Sequence, residues 1–215
     1  MTYSEAQQDI RWQRRKEERP AEIIEAALQL FVERGYAATR LEDIARAAGI
    51  SKGSLYRYFE NKEALFKAMV IQVVIPEIEK AETTVKAYQG EISPLIQAMV
   101  LGWWETVGET RISGIPKLII SEAANFPELA EFYVNEVIKR GRKLVAGMIQ
   151  RGVECGEFRQ EIEPEYAARL LISPVVFAAI WKESLASYDD HYDVKKYLSF
   201  ETDVFLRGIR QDVIQ

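Results

Sequence analysis

Read for the spacing of apolar and polar positions, the chain is a succession of helical patterns punctuated by prolines and glycines. No stretch sustains the two-residue alternation of a half-buried strand. The first segment opens at Pro20, a favoured N1 residue, and sets Ile24, Ala27, Leu28 and Phe31 on one stripe. Gly35 ends it as a C′ residue. Thr39-Arg-Leu-Glu42 has the form of a capping box, in which Thr39 and Glu42 satisfy each other's backbone donors. It predicts a short helix with Leu41, Ile44, Ala45 and Ala48 facing inward, closed by Gly49. Ser51 caps a third helix and Asn61 a long fourth one.

The later patterns are longer and more apolar. One helix runs from Lys62 toward Tyr88, with Pro76 kinking or dividing it. Ser93-Pro94 starts another, through Trp103 and Trp104, and a shorter one covers 115–124. Phe126-Pro127 opens a helix of about seven turns through Val153. Pro164 begins the penultimate helix, with Pro174 inside it, and the last spans 194–209. The expectation is an all-α chain: a basic N-terminal arm (1–19), a small three-helix unit opening into the fourth helix (20–66), and a larger helical body (67–215).

The segment GISKGSLYRYFENKEALF (49–66) sits awkwardly in this scheme. Glycine inside a helix costs roughly 1 kcal/mol against alanine, and two tyrosines flank an arginine. Two short helices joined by a glycine-containing turn match the helix-turn-helix plan. At ~100° per residue, Leu55 and Phe59 point inward with Ile50, while Gly53 and Arg57 lie opposite and Tyr56 and Tyr58 project to the flanks. That face suits a major groove. A small residue lets the backbone approach the duplex, Arg57 reaches the groove floor, and flanking hydroxyls reach phosphates. The helix N-termini near Ser51-Lys52 and Asn61-Lys62 favour an anion.

Charge changes the picture in one respect. The net charge is −5, yet residues 11–62 hold eleven Lys/Arg against eight Asp/Glu, so the basic balance is at the front of the chain. Arg11, Arg14, Arg15, Lys16 and Arg19 carry it, with two readings open: a solvated tail, or an arm on the DNA minor groove or backbone. The single cysteine, Cys155, excludes an internal disulfide and an all-cysteine metal site. A reducing cytoplasm is the natural setting. The first twenty residues have no apolar signal region, and the longest apolar run, LLISPVVFAAIW (170–181), falls short of the ~20 residues of a membrane span.

The run ALQLFVERGYAATRLEDIARAAGISKGSLYRYFENKEALF (27–66) resembles the DNA-binding segment of the TetR/AcrR family of bacterial transcriptional regulators. The resemblance covers about residues 20–66, and IISEAANFPELAEFYV (119–134) is similar to one C-terminal subgroup. It implies a helical homodimer with N-terminal DNA-binding domains, a C-terminal effector and dimerisation domain, and repression as the mode. It further implies DNA contacts from Thr39, Arg40, Lys52, Gly53, Ser54, Tyr56, Tyr58 and Lys62, beside Ser51 and Arg57 from the helical phase.

The remaining candidates are weighed on their residues. A palindromic operator on double-stranded DNA and a small apolar or amphipathic effector are the expected partners, with no cofactor, metal or membrane. An excess of aromatic and flexible apolar residues marks an effector pocket in 90–181: Met99, Trp103, Trp104, Phe126, Phe132, Tyr133, Met148, Phe177 and Trp181. The bland reading is that they fill a core. Trp103 and Trp104 are adjacent and cannot share a helix face. The helices at 166–187 and 194–210 are expected to pair with their symmetry mates, the second through Leu198, Val204, Phe205 and Ile209. His191 lies in an acidic loop with no metal geometry, and Cys155 reads as a buried hydrophobe. An enzyme is not expected, since no nucleophile–histidine–carboxylate set avoids His191 and no phosphate-cradling loop is present. Paired carboxylates or a pure assembly module stay open as alternatives. Retention on specific DNA at physiological salt separates both from a regulator.

Overall fold

The computed structural model describes residues 3–189 and 193–211, with side chains from Arg19 onward. The described residues form helices joined by turns, with no strand among them, and the chain divides into two compact units, residues 1–72 and 73–215. The division falls between Gln72 and Val73, later than residue 66, because all of the fourth helix but its last residue belongs to the first unit, with Leu65 and Phe66 in its core.

The first unit holds α1 (Tyr3–Arg34), α2 (Leu41–Ala47), α3 (Lys52–Tyr56) and α4 (Lys62–Val73). Helix α1 does not start at Pro20. Its backbone is already helical from Tyr3, and Pro20 lies inside it, forfeiting one backbone hydrogen bond. The expected arm is therefore a continuation of α1, although the side chains of Arg11, Arg14, Arg15 and Lys16 lie outside the described residues. Gly35 and Gly49 adopt φ of 85° and 65°, the left-handed turns that end α1 and α2. Ile23, Ala27, Phe31, Ile44, Leu55, Leu65 and Phe66 form the core, all fully buried. Phe31, Tyr36 and Phe66 close on one another with ring centroids 5.3–5.9 Å apart, each such pair worth about 0.5–1.5 kcal/mol beyond its area.

The capping box is not formed. Arg40 occupies the N-cap of α2 with no side-chain cap. The Thr39 hydroxyl instead turns back to the carbonyls of Leu30 and Gly35. The spacing rule sees only local partners, and a partner at the end of α1 takes the hydroxyl. Ser51 and Asn61 do cap, accepting from the N–H groups of Ser54 and Ala64 at 3.1 and 2.8 Å.

The second unit comprises α5 (Ile75–Ala87), α6 (Ile92–Trp103), α7 (Gly114–Glu122), α8 (Pro127–Tyr133), α9 (Lys139–Glu154), α10 (Pro164–Ser184) and α11 (Val194–Ile209). Pro76 divides rather than kinks: α4 stops at Val73 and the proline sits in the first turn of α5. Helix α10 packs on α9 and α7, and α11 on α6. Their shared core includes Ile96, Trp104, Met148, Ile149, Phe158 and Leu198. π-helical turns at Trp104–Gly108 and Val134–Ile138 interrupt the long patterns, so the helix from Pro127 is not uniform. Polar ties join distant segments, Arg140–Glu82 and Glu157–Ser93 among them. Arg140 donates twice to Glu82, at 2.6 and 2.7 Å. The Glu157 carboxylate accepts the N–H groups of Ile92 and Ser93, capping α6 from 64 and more residues away.

Cys155 is exposed, contrary to the buried reading, because it is the C-cap of α9 and its thiol points only to the Gly152 carbonyl at 3.5 Å. His191 lies outside the described residues. No helix among the described residues is long and apolar enough to cross a membrane.

Candidate nucleic-acid interface

Helix α3 is short and its phase is as read: Leu55 and Phe59 are buried, while Gly53, Tyr56 and Arg57 are exposed and Tyr58 is half-buried. A Cβ built on Gly53 would meet nothing within 4 Å. Intramolecular packing therefore gives no reason for a glycine there, and the helix would gain from alanine. Tyr56 is 46% exposed, with the Lys52 ammonium 5.8 Å from its ring centroid. Arg57 donates to the Ser54 hydroxyl oxygen at 3.1 Å, and Ser51 donates to the same oxygen at 3.0 Å. The outward face is thus a chain of donors with a bare backbone at its centre.

Its electrostatics are set from α2. Lys52 pairs with Glu42, a residue the sequence reading did not place in the site. The hydrogen bond from Lys52, with a backbone N–H and the nearby positive charge beside it, holds the Glu42 carboxyl below its ordinary range, and the same pair raises the lysine. No spacing rule foretold this pairing, since it crosses the turn between two helices. On α2 itself Asp43 faces Arg46 at 3.6 Å and Arg34 of α1 at 3.9 Å. Arg40 is exposed at the start of α2.

Two expected contact residues face inward. Thr39 is 1% exposed, its hydroxyl committed to the carbonyls of Leu30 and Gly35, so its side chain is not on the surface. Lys62 directs its ammonium to the carbonyls of Tyr36, Ala37 and Thr39, at 2.7, 3.3 and 3.1 Å, and lies 4.3 Å from the Tyr36 ring centroid.

The aromatic residues of the second unit separate into three environments. Trp104, Tyr133 and Met148 are buried, and burial pushes the Tyr133 hydroxyl far up from its ordinary pKa. Met99 and Trp103 are partly buried against the core, and Phe126, Phe132 and Trp181 are half-buried. The Trp181 indole N–H is buried and has no protein partner. Phe177 touches this group only at its edge, its ring centroid 5.8 Å from that of Trp181. It is 56% exposed on the outward face of α10, because its phase matches Tyr166 and Leu170 rather than Ala178 and Ala179.

Known proteins match the chain in family and fold. The family described as bacterial regulatory proteins, tetR family, matches residues 23–69, and the tetracyclin repressor-like C-terminal domain matches 96–192. The chain is 29% identical over 189 residues to the transcriptional repressor KstR2 of Rhodococcus jostii, covering 87% of this chain and 91% of that one. It is 24% identical to the fatty acid metabolism regulator protein of Bacillus subtilis, covering 74% and 82%. The crystal structure of the regulator FadR of Bacillus subtilis in complex with stearoyl-CoA shares the fold, with a TM-score of 0.69 at 20% identity, over 88% of this chain and 99% of that one.

Proposed function

The chain belongs to the TetR family of bacterial transcriptional regulators, and we propose that it is a cytoplasmic repressor that holds a palindromic operator as a homodimer and releases it when an amphipathic effector binds. It acts by binding rather than by catalysis. The observation that carries the DNA reading is the open space around Gly53 on an exposed, donor-rich helix face. A residue that weakens its own helix and fills no contact is accounted for by a partner outside the protein. Lys52, Ser51, Ser54, Tyr56, Tyr58 and Arg40 serve phosphates, which fix register without reading sequence. Arg57 reaches a base edge, where bidentate contact with guanine is the commonest specific pairing.

Selection of bound duplexes from random DNA tests this. A palindrome is expected, with half-sites about one turn, ~34 Å, apart or slightly more. Tyr56→Phe weakens binding to every sequence alike, while Arg57→Ala costs ~1–3 kcal/mol and relaxes one position. An unchanged affinity for Tyr56→Phe at low and moderate salt removes its contact role.

For the effector, the half-buried Met99, Trp103, Phe126, Phe132 and Trp181 offer apolar lining, and the unpartnered Trp181 N–H offers a polar fixing group. The likeness to a fatty acid metabolism regulator supports a ligand with an alkyl body. An effector that prefers a different separation of the two recognition helices lowers operator affinity by its differential binding energy. DNA lowers effector affinity by the same factor, and a coupling of about 1–3 kcal/mol gives roughly 5–150-fold release. Tryptophan quenching by a long-chain acyl-CoA, with operator release followed in parallel, reads both sides of that linkage.

A further inference from the structure

We propose that Lys62 serves the DNA interface from inside the protein, as a positioning residue that locks the α1–α2 loop to the start of α4, and not as a phosphate ligand. The proposal rests on the DNA-binding reading above. An ammonium has three protons and no acceptor. Here it meets three carbonyls, those of Tyr36, Ala37 and Thr39, at 2.7, 3.3 and 3.1 Å, with the Tyr36 ring face 4.3 Å away. Every proton has a direction to go inside the molecule.

Position adds a second argument. Lys62 is the first residue of α4, the end of a helix whose dipole disfavours a cation. Three carbonyls and a ring face offset that disadvantage locally. The carbonyls belong to the loop that follows Gly35, and the same loop is held from its other side by the buried Thr39 hydroxyl on Leu30 and Gly35. Arg40 and the first turn of α2 follow directly, so the clamp sets where α2 stands against α1 and, through the turn, where α3 stands against α2. To reach a phosphate the ammonium would abandon three acceptors of a partly buried loop, whereas Lys52 gives up only the exposed Glu42 carboxylate and Arg40 is itself exposed.

The test compares full-length wild type with Lys62→Met, Lys62→Arg and Lys52→Met on a random-sequence duplex, between about 50 and 200 mM salt. A lost phosphate contact lowers the slope of log K against log salt by about 0.9. The expected result is that Lys52→Met lowers the slope, whereas Lys62→Met keeps the wild-type slope, binds about tenfold more weakly throughout, and melts earlier in the free state. Lys62→Arg keeps the charge but cannot place three protons on three converging carbonyls, so it too binds weakly and melts early. Where the methionine variant does not fold, the Lys62 ε-ammonium resonance of the wild type decides: it is slowly exchanging in the free protein and moves less than that of Lys52 on adding duplex. A reduced slope for Lys62→Met, full affinity for Lys62→Arg, or a Lys62 resonance that shifts as Lys52 does would overturn the proposal. A wild type with no salt-dependent duplex binding overturns the DNA reading itself, and this proposal with it.

Discussion

Glu42 on α2 and Lys52 on α3 form an ion pair across the helix-turn-helix, so the lysine that leads the recognition helix meets a carboxylate before it meets a phosphate. Both groups are exposed, and the pair is sensitive to salt for that reason. Replacing Glu42 by Gln removes a negative charge beside the DNA face and releases Lys52. Duplex affinity is expected to rise roughly two- to fivefold at low salt, with the gain fading at high salt. Fluorescence anisotropy across a salt series measures it. A loss of affinity would mean that Glu42 is needed to aim Lys52.

Gly53 separates stability from function in one substitution. An added Cβ meets nothing within 4 Å, so Gly53→Ala carries no steric cost in the free protein. It removes backbone freedom from the unfolded chain and should stabilise the protein by about 0.4–1 kcal/mol. On DNA the methyl group stands between the helix backbone and the groove, and affinity should fall about tenfold, or roughly 1.4 kcal/mol. Chemical denaturation and duplex titration of the same preparation read the two effects. A variant that is more stable and binds equally well shows that the backbone makes no close approach.

The helix boundaries were legible where a cap is local. Ser51, Asn61, Gly35 and Gly49 each act within three residues or through their own φ, so their spacing in the chain carries the information. The phase of α3 was legible for the same reason. What spacing could not carry were partners brought in by the fold. Thr39 fitted the capping-box pattern, yet its hydroxyl is claimed by a carbonyl nine residues back. Lys62 reaches 23 to 26 residues back, and the cue for it was present: a cation at the wrong end of a helix dipole. Phe177 fell among buried neighbours in a long apolar run, where composition does not reveal which face is outside. The π-helical turn at Trp104–Gly108 was also invisible, although a Cβ at Gly108 would stand 2.3 Å from the Trp104 ring.

Glu157 illustrates how such a distant partner fixes the pH dependence of stability. Helix α6 begins at Ile92 with no cap from its own flank, and Glu157 takes the N–H groups of Ile92 and Ser93 at 2.6 and 2.7 Å. Partial burial raises its pKa, but the Ser93 hydroxyl, the two N–H groups and the charge of Arg210 outweigh that and hold it below the ordinary range. A carboxyl with a lowered folded-state pKa adds stability above its unfolded pKa, about 4.3, and that stability is lost as the pH falls through the folded value. Glu157→Gln should cost about 0.5–2 kcal/mol near neutrality, the worth of a helix cap. The difference from wild type should shrink in acid, where both side chains are neutral. Urea denaturation at neutral and acidic pH checks both parts.

Homodimerisation is expected to use a face that the fold leaves bare. Tyr166, Leu170 and Phe177 line the outward side of α10, and Tyr197, Phe200 and Val204 that of α11, with Leu170 and Phe200 at 65% and 66% exposure. Both stripes follow helical spacing, and α10 and α11 pack against each other, so the two stripes belong to one unit of the fold. Leu198 and Ile209, first expected on this face, are instead buried in the monomer core with Leu206. The reason is phase: Leu198 and Ile209 are eleven positions apart, three helical turns, on the side of α11 facing α6. Paired with their symmetry mates, the two helices would form an isologous four-helix contact. Fully burying a leucine or phenylalanine is worth about 1.5–3 kcal/mol, counted on both protomers. Leu170→Glu with Phe200→Glu should therefore weaken the dimer at least ~100-fold while leaving the helical content of each protomer intact. Sedimentation velocity at micromolar concentration distinguishes the states, and operator affinity should fall in step because only a dimer spans both half-sites. A doubly substituted protein that still sediments as a dimer places the interface elsewhere on the molecule.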